Sequence, residues 1–277
     1  MIDELLNQVF CGECSELMAM LLPANSIDLT VTSPPYDDLR IYQGYNFDFE
    51  AIARQLFRVT KKGGVVVWVV GDATVNGSET GTSFRQALYF MELGFNLHDT
   101  MIYKKMTPHP PNVRYWQEFE YMFIISKGIP KTFNALQQPK CLNSLVRARG
   151  KFYSHTRNKK GELQTLSKAG HTRMKRSSEN KLRIRSNVWE YQIGGGNIGD
   201  DLAHGHPAAF PEKLARDHIL SWSNPNDVVL DPMCGSGTVP KMCVETGRHY
   251  IGMDVSEAYV ALSKKRIEGA KTPLFVI

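Results

Sequence analysis

Two short stretches of the chain carry residue types that could do chemistry. Ser33-Pro34-Pro35-Tyr36 closes an apolar, β-branched run at 29–32 that reads as a strand. Prolines donate no ladder hydrogen bond and have a fixed φ, so this strand stops abruptly with a stiff loop at its carboxyl end. In open α/β sheets that edge is where ligands bind. The second stretch, Asp231-Pro232-Met233-Cys234-Gly235-Ser236-Gly237-Thr238, lies between an apolar strand at 228–230 and a helix from about 239. Glycines let backbone N–H groups approach a ligand closely, and a helix amino terminus favours a carboxylate or phosphate. About twenty residues on, a strand ends in Gly252-Met253-Asp254, where a carboxylate could accept hydrogen bonds from ribose hydroxyls. A loop that only turns a corner, with Asp254 capping the next helix, would use the same residue types. The joint order of strand, glycine loop, helix, strand and acid favours a nucleoside pocket.

Other nucleotide signatures fit less well. The loop lacks the third glycine of a dinucleotide fingerprint and the Gly-Lys-Ser/Thr of a phosphate-binding P-loop. Gly194-Gly195-Gly196-Asn197-Ile198-Gly199 matches the dinucleotide spacing, but Asp-Asp-Leu-Ala-His-Gly-His-Pro follows where a helix is required, and it reads as a connector. Cys11, Cys14, Cys141, Cys234 and Cys243 are odd in number and scattered, which disfavours a disulfide framework and suits a reducing compartment. Cys11-x-x-Cys14 has no second closely spaced Cys/His pair, so both read as plain thiols and no metal site is expected.

The elements that must position these loops alternate. Strands are expected at 27–32, 65–70, 96–103, 120–126, 228–230 and 250–253. Helices are expected at 49–59, 83–93, 211–221 and 239–246, with a last one through Arg266. Lys61-Lys62-Gly63-Gly64 reads as the stop of the helix at 49–59. This rhythm predicts an α/β fold, a doubly wound, Rossmann-like, mostly parallel sheet with helices on both faces. A length of 277 residues suffices for one such domain with an appended module. The longest apolar run, six residues at 65–70, is far short of a membrane span, and the amino terminus lacks a basic signal region, so a cytoplasmic protein is expected. Net charge is +5, yet residues 147–185 hold thirteen Lys/Arg against Glu162 and Glu179, so this one basic, polar segment carries the whole positive excess. It splits the core in sequence.

Taken together these motifs resemble the amino-methylating DNA methyltransferases, which methylate exocyclic nitrogens of cytosine or adenine with S-adenosylmethionine. The proline loop Thr32-Ser33-Pro34-Pro35-Tyr36 precedes the glycine loop with the basic segment between them, an order similar to that family's permuted β group. Phe57-Arg58-Val59-Thr60-Lys61-Lys62-Gly63-Gly64 and Val67-Trp68-Val69-Val70-Gly71-Asp72 resemble its middle motifs, and His206-Pro207-Ala208-Ala209-Phe210-Pro211-Glu212-Lys213-Leu214 resembles the segment closing over the cofactor's methionine end. The resemblance implies a catalytic part at 1–139, an inserted target-recognition region at 140–190 and a cofactor-binding part at 191–277. It implies cofactor contacts at Asp231, Pro232, Cys234, Gly235, Ser236, Gly237, Thr238, Asp254, His206 and Phe210. Gly12-Glu13-Cys14 stands where the family has Gly-Asp-Cys, which makes Glu13 a candidate for the cofactor's adenine through a longer side chain.

The proline loop then acquires a task. An exocyclic amine is a poor nucleophile because its lone pair is delocalised into the ring. Two acceptors, the Ser33 hydroxyl and the Pro34 carbonyl, would take its N–H donors and hold the nitrogen toward the sulfonium methyl, while Pro35 stiffens the loop. Tyr36 would supply a flat face to a base flipped out of the duplex. In the family these motifs resemble, serine at the first motif position is commoner among N4-cytosine enzymes, so the resemblance implies N4 of cytosine; N6 of adenine is the alternative, and an RNA or small-molecule substrate a more remote one. In the basic segment Arg147, Arg149, Lys151, Arg157, Lys159, Lys160, Arg173, Lys175 and Arg176 are candidates for neutralising phosphates of double-stranded DNA. The resemblance further suggests a homodimer, and a cognate restriction endonuclease as a candidate partner.

Overall fold

The computed structural model describes residues 2–35, 47–105, 114–115, 117–140, 155–165, 181–191 and 211–270. The strands are β1 (Gln8–Cys11), β2 (Ile27–Thr32), β3 (Thr60–Val70), β4 (Thr74–Val75), β5 (Ser78–Glu79), β6 (Asn96–Lys105) and β7 (Phe119–Ser126). They continue with β8 (Gln137–Pro139), β9 (His155–Arg157), β10 (Leu163–Thr165), β11 (Leu182–Ile184), β12 (Val188–Tyr191), β13 (Val228–Asp231) and β14 (His249–Asp254). Among the described residues the helices of eight or more residues are α1 (Cys14–Leu21), α2 (Phe49–Val59), α3 (Thr82–Glu92), α4 (Glu212–Trp222), α5 (Thr238–Thr246) and α6 (Glu257–Glu268).

Eight strands form one sheet in the order β1-β14-β13-β2-β3-β7-β6-β12. Only β7 runs against its neighbours, through antiparallel pairing with β3 and β6; every other pair is parallel. The expected doubly wound, mostly parallel sheet is therefore the one found. Its centre is β3, where Val65, Val66, Val67, Trp68, Val69 and Val70 are all buried, as strands covered on both faces must be. Trp68 keeps its one polar atom satisfied by donating Nε1–H to Gln86 Oε1 on α3 at 2.8 Å.

Local chemistry sets the helix ends. Asp48 caps α2 by accepting from the Ala51 amide at 3.0 Å, and Ile52, Ala53, Leu56 and Val59 present its apolar face to the sheet. Lys61-Lys62-Gly63-Gly64 is not the helix stop it was expected to be. α2 ends at Val59, and the tetrapeptide lies inside β3 as an irregularity where pairing jumps from Ile27↔Thr60 to Leu29↔Val65. Gly63 takes φ +82°, and a Cβ on Gly64 would sit 2.9 Å from the Asp28 carbonyl, so both glycines are required for a bulge in a strand and not for a turn.

The chain divides into two compact units, Met1–Asn134 with Asn187–Ile277, and Ala135–Ser186. Within the smaller unit β9 pairs antiparallel with β10 and β11 with β8, so the basic, polar stretch holds two short ribbons. Among the described residues no helix is long and apolar enough to cross a membrane.

Candidate active site at the carboxyl edge of the sheet

Parallel pairing brings the chemically interesting strand ends together. β2 lies beside β13 with Val229↔Leu29 and Leu230↔Thr30 in register; β13 lies beside β14 with Asp231↔Gly252, and β14 beside β1 with Cys11↔Asp254. The loops that leave these strands therefore stand side by side along one edge. In spatial order they carry Gly12-Glu13, Asp254, the glycine loop after Asp231, and Ser33-Pro34-Pro35. Thr32 and Asp231, 199 positions apart in the chain, end adjacent strands, and Ser33 follows the first of them.

A buried hydrogen bond fastens two of these loops. Thr32 Oγ1, the last side chain of β2, donates to Asp231 Oδ1 at 2.8 Å, and the Met233 amide donates to the same oxygen at 3.3 Å. Burial pushes the Asp231 carboxyl up to about 7; the Thr32 and Met233 bonds oppose the rise and the charge of Asp254 adds to it. Asp254 is also raised, by burial, against bonds from the Ser256 amide to Oδ1 and the Gly235 amide to Oδ2, both at 2.9 Å. Asp254 thus does not cap the next helix; Ser256 does, accepting from the Tyr259 amide, and Asp254 grips the glycine loop. Each of its oxygens keeps a further lone pair for a second donor.

The glycine loop has the conformation its residues predict. Gly235 and Gly237 take φ +50° and +81°, and the Gly237 amide closes a turn onto the Cys234 carbonyl at 2.7 Å before α5 begins. Asp231, Pro232, Cys234, Gly235, Ser236, Gly237 and Thr238 are all buried. Burial, with the charges of Asp231 and Asp254, holds the Cys234 thiol well above its ordinary range, so it stays protonated and no nucleophile. On the neighbouring strand Pro34 is buried while Ser33 and Pro35 are half-buried. Tyr36, His206 and Phe210 lie outside the described residues, as do Arg147, Arg149, Lys151, Arg173, Lys175, Arg176 and the glycine run at 194–199.

Glu13 has a use that its sequence position did not suggest. Its Oε2 accepts from the Glu16 amide at 2.8 Å and the Ser15 hydroxyl at 2.6 Å, so the carboxylate is the N-cap of α1. Burial alone would raise its pKa, but these bonds outweigh it and hold the group below the usual carboxylate range. Sequence reasoning missed Thr32 and Arg266. Arg266 has a fully buried side chain, and its guanidinium donates to the Ser236 carbonyl beneath the glycine loop at 2.8 Å. A signal for it exists in hindsight: Val260, Ser263 and Arg266 recur at threefold spacing on the buried face of α6, a place where a cation needs partners.

Fold and edge define the class: a doubly wound α/β protein with a glycine loop, an acid one strand away, and a proline loop on the next strand. The family is explicit. The model of the N6/N4 DNA methylase family matches residues 27–265, and the chain belongs to that family. The orphan methyltransferase M.BamHII of Bacillus amyloliquefaciens is 52% identical over 245 residues, which is 88% of this chain and 89% of that one. The Type II methyltransferase M.BglII of Bacillus subtilis is 25% identical over 273 residues, covering 95% of this chain and 69% of its own length. Of the solved structures, the PvuII DNA methyltransferase, described as cytosine-N4-specific, shares the fold with a TM-score of 0.64 at 20% identity, over 93% of this chain and 85% of that one. The complex of M1.HpyAVI with S-adenosylmethionine superposes with a TM-score of 0.57 at 21% identity, over 94% and 98%. The chain is a DNA methyltransferase with S-adenosylmethionine as cofactor and DNA as substrate.

Proposed function

We propose that the chain transfers a methyl group to the exocyclic N4 of a cytosine flipped out of duplex DNA. The observation that carries this reading is a serine at the head of the proline loop, on a strand end tied at 2.8 Å to the glycine loop by the Thr32–Asp231 bond. The Ser33 hydroxyl and the Pro34 carbonyl accept the two amino N–H donors and fix the nitrogen's orientation. Pro34 and Pro35 keep that carbonyl from reorganising, and Tyr36 stacks on the base. S-adenosylmethionine supplies an electrophilic methyl on a cationic sulfur. Nucleoside analysis of duplex DNA methylated in vitro tests the choice of base. N4-methylcytosine is expected; N6-methyladenine alone overturns it, and methyl transfer to RNA or free nucleotide but not to duplex DNA overturns the substrate class.

The residues present fit the cofactor. Asp231 and Asp254 are two carboxyls held up by burial at one edge, and no Lys or Arg among the described residues figures in the causes of either shift. A sulfonium and an α-ammonium are the charges such a pair lacks. The glycine loop would cradle the cofactor, with Asp254 holding the ribose and Asp231, Pro232, Cys234, Ser236 and Thr238 shaping the walls. His206 and Phe210 would close the methionine end. Glu13 caps α1 through Oε2 and would turn its other oxygen, Oε1, to the adenine.

A pH dependence follows. In the ligand-free chain the raised Asp231 carboxyl contributes stability that is complete below its unfolded value of 3.8 and is lost as pH climbs through about 7. A cationic ligand reverses the preference by favouring the carboxylate. Binding of S-adenosylmethionine should therefore release a proton near neutrality and be about tenfold weaker at pH 6 than at pH 8. Calorimetry in buffers of different ionisation enthalpy measures that proton; Asp231→Asn should abolish its release.

Residues 1–139 would then supply catalysis, 191–277 the cofactor site and 140–190 target reading. In the described part of that region the turn between β9 and β10 exposes Lys159 and Lys160 beside Arg157, whose guanidinium donates to the Gly161 carbonyl at 2.7 Å. Changing Arg157, Lys159 and Lys160 together to Ala should weaken DNA binding and lower the slope of log affinity against log salt by about 2 to 3. An unchanged slope removes the hairpin from the interface.

A homodimer has a candidate surface. α3 leaves Phe84, Leu88 and Met91 exposed on one face, flanked by Arg85 and Glu92. Antiparallel two-fold pairing about Leu88 would bury this stripe and set Arg85 against the partner's Glu92. Leu88→Glu should sediment as a monomer where the parent chain sediments as a dimer; a monomeric parent at working concentration removes the proposal.

A further inference from the structure

Arg266 is a costly group to bury. Its side chain is 0% exposed, and it spends its fork on three elements at once. Nη1 donates to the Ser236 carbonyl at 2.8 Å, the Ser236 hydroxyl at 2.9 Å and the Thr238 hydroxyl at 3.3 Å. Nη2 donates to Glu212 Oε1 at 2.9 Å, and Lys241 Nζ on α5 shares that oxygen at 2.7 Å. A buried ion cluster of this kind is weak evidence for stability, because desolvating the charges offsets most of their attraction. Its geometry is informative instead. Three of the Arg266 bonds end on the glycine loop or the first residue of α5. Another ends on Glu212, the first residue of α4.

We propose that Arg266 is a positioning residue for the cofactor, setting the glycine loop and the start of α4 at the spacing that S-adenosylmethionine requires. The inference rests on the cofactor site proposed above. Fixing the Ser236 carbonyl fixes the peptide that leads into Gly237, whose left-handed turn sets the direction of the amides around the loop. Fixing Glu212 from the same guanidinium ties the start of α4 to that loop. Lysine cannot replace it, since an ammonium on a flexible stem is a point donor and cannot reach a carbonyl, two hydroxyls and a carboxylate at once.

Calorimetric titration of the full chain with S-adenosylmethionine tests this, with Arg266→Lys and Asp254→Ala compared to the parent. Arg266→Lys should raise Kd about 10- to 100-fold, the loss expected when charge-assisted bonds to a loop are removed. The kcat at saturating cofactor should stay within about twofold and KM for DNA should not move, a split that a general loss of structure would not produce. An unchanged Kd in Arg266→Lys while Asp254→Ala weakens binding overturns the role of Arg266 and leaves the site standing. An unchanged Kd in both overturns the site and the inference together. A binding stoichiometry and a kcat that fall in proportion to the folded fraction, with Kd unchanged, mark Arg266 as structural only and also overturn it. Should Arg266→Lys fail to fold, Ser236→Ala removes one Arg266 acceptor without stranding a charge; it should raise Kd several-fold, and an unaltered value overturns the proposal.

Discussion

Ser33→Ala is expected to lower kcat about 100- to 1,000-fold, the range found when one preorganised hydrogen-bonding group is removed from a reacting centre, while leaving the affinity for S-adenosylmethionine unchanged. The proposed site holds the target amine by two acceptors, and one of them, the Pro34 carbonyl, belongs to the backbone and survives the substitution. With only one N–H gripped, the amino group can rotate back into conjugation with its ring, and the lone pair no longer points at the methyl donor. The fold should tolerate the change. Ser33 is only half-buried, and the anchor of this strand end is its neighbour, through Thr32 Oγ1 to Asp231. Single-turnover transfer of a labelled methyl group to duplex DNA measures the effect without interference from product release. Activity within tenfold of the parent would remove Ser33 from the chemistry.

Thr32 shows why the two residues must be kept apart in such tests. Thr32→Val conserves shape but leaves Asp231 Oδ1 with the Met233 amide alone, in surroundings that already disfavour its charge. A loss of activity there would report on the glycine loop and not on the amine.

The centre of this fold was legible because it is made of long, buried, β-branched strands. The run at 65–70 and the alternation of strand and helix on either side leave few topologies open once crossovers must be right-handed. The edges were not legible. β1 and β12 are four residues each, Gln8–Cys11 and Val188–Tyr191, and their burial alternates over too short a span to rise above loop composition. Both are strands because a neighbour offers an unpaired edge, which is a property of the sheet and not of the segment. The candidate site divides in the same way. Ser33-Pro34-Pro35 and the glycine loop announce themselves through local backbone chemistry. Thr32, Glu212, Lys241 and Arg266 act through contacts across 28 to 199 positions of chain, and no window of sequence contains both partners. Glu13 shows the same limit: a Gly-acid-Cys pattern followed by a helix fits a ligand contact and an N-cap alike, and the bond from the Glu16 amide that makes it a cap appears only in the fold.

Gly237→Ala should be the most damaging small substitution in the cofactor region. Alanine at φ +81° is strained by about 1–2 kcal/mol, and its Cβ would overlap the Ser263 hydroxyl and lie 2.8 Å from Ser263 Cβ and 3.0 Å from its Cα. The last contact is with backbone, so α6 itself has to move, at a further ~1–3 kcal/mol for overpacking. Ser263 is three residues before Arg266 on that helix, so the displacement carries away the guanidinium that holds the Ser236 carbonyl. A fall in Tm of about 5–15 °C is expected from the sum, together with loss of S-adenosylmethionine binding by at least ~100-fold. Gly81 separates the two causes. It occupies the same N-cap position on α3 in the same left-handed region, φ +66°, but a Cβ there meets nothing within 4 Å. Gly81→Ala should show the backbone strain alone, a shift of about 2–4 °C per kcal/mol, with cofactor affinity intact. Equal effects at the two glycines would mean that crowding against Ser263 is absent in solution and that the glycine loop stands clear of α6.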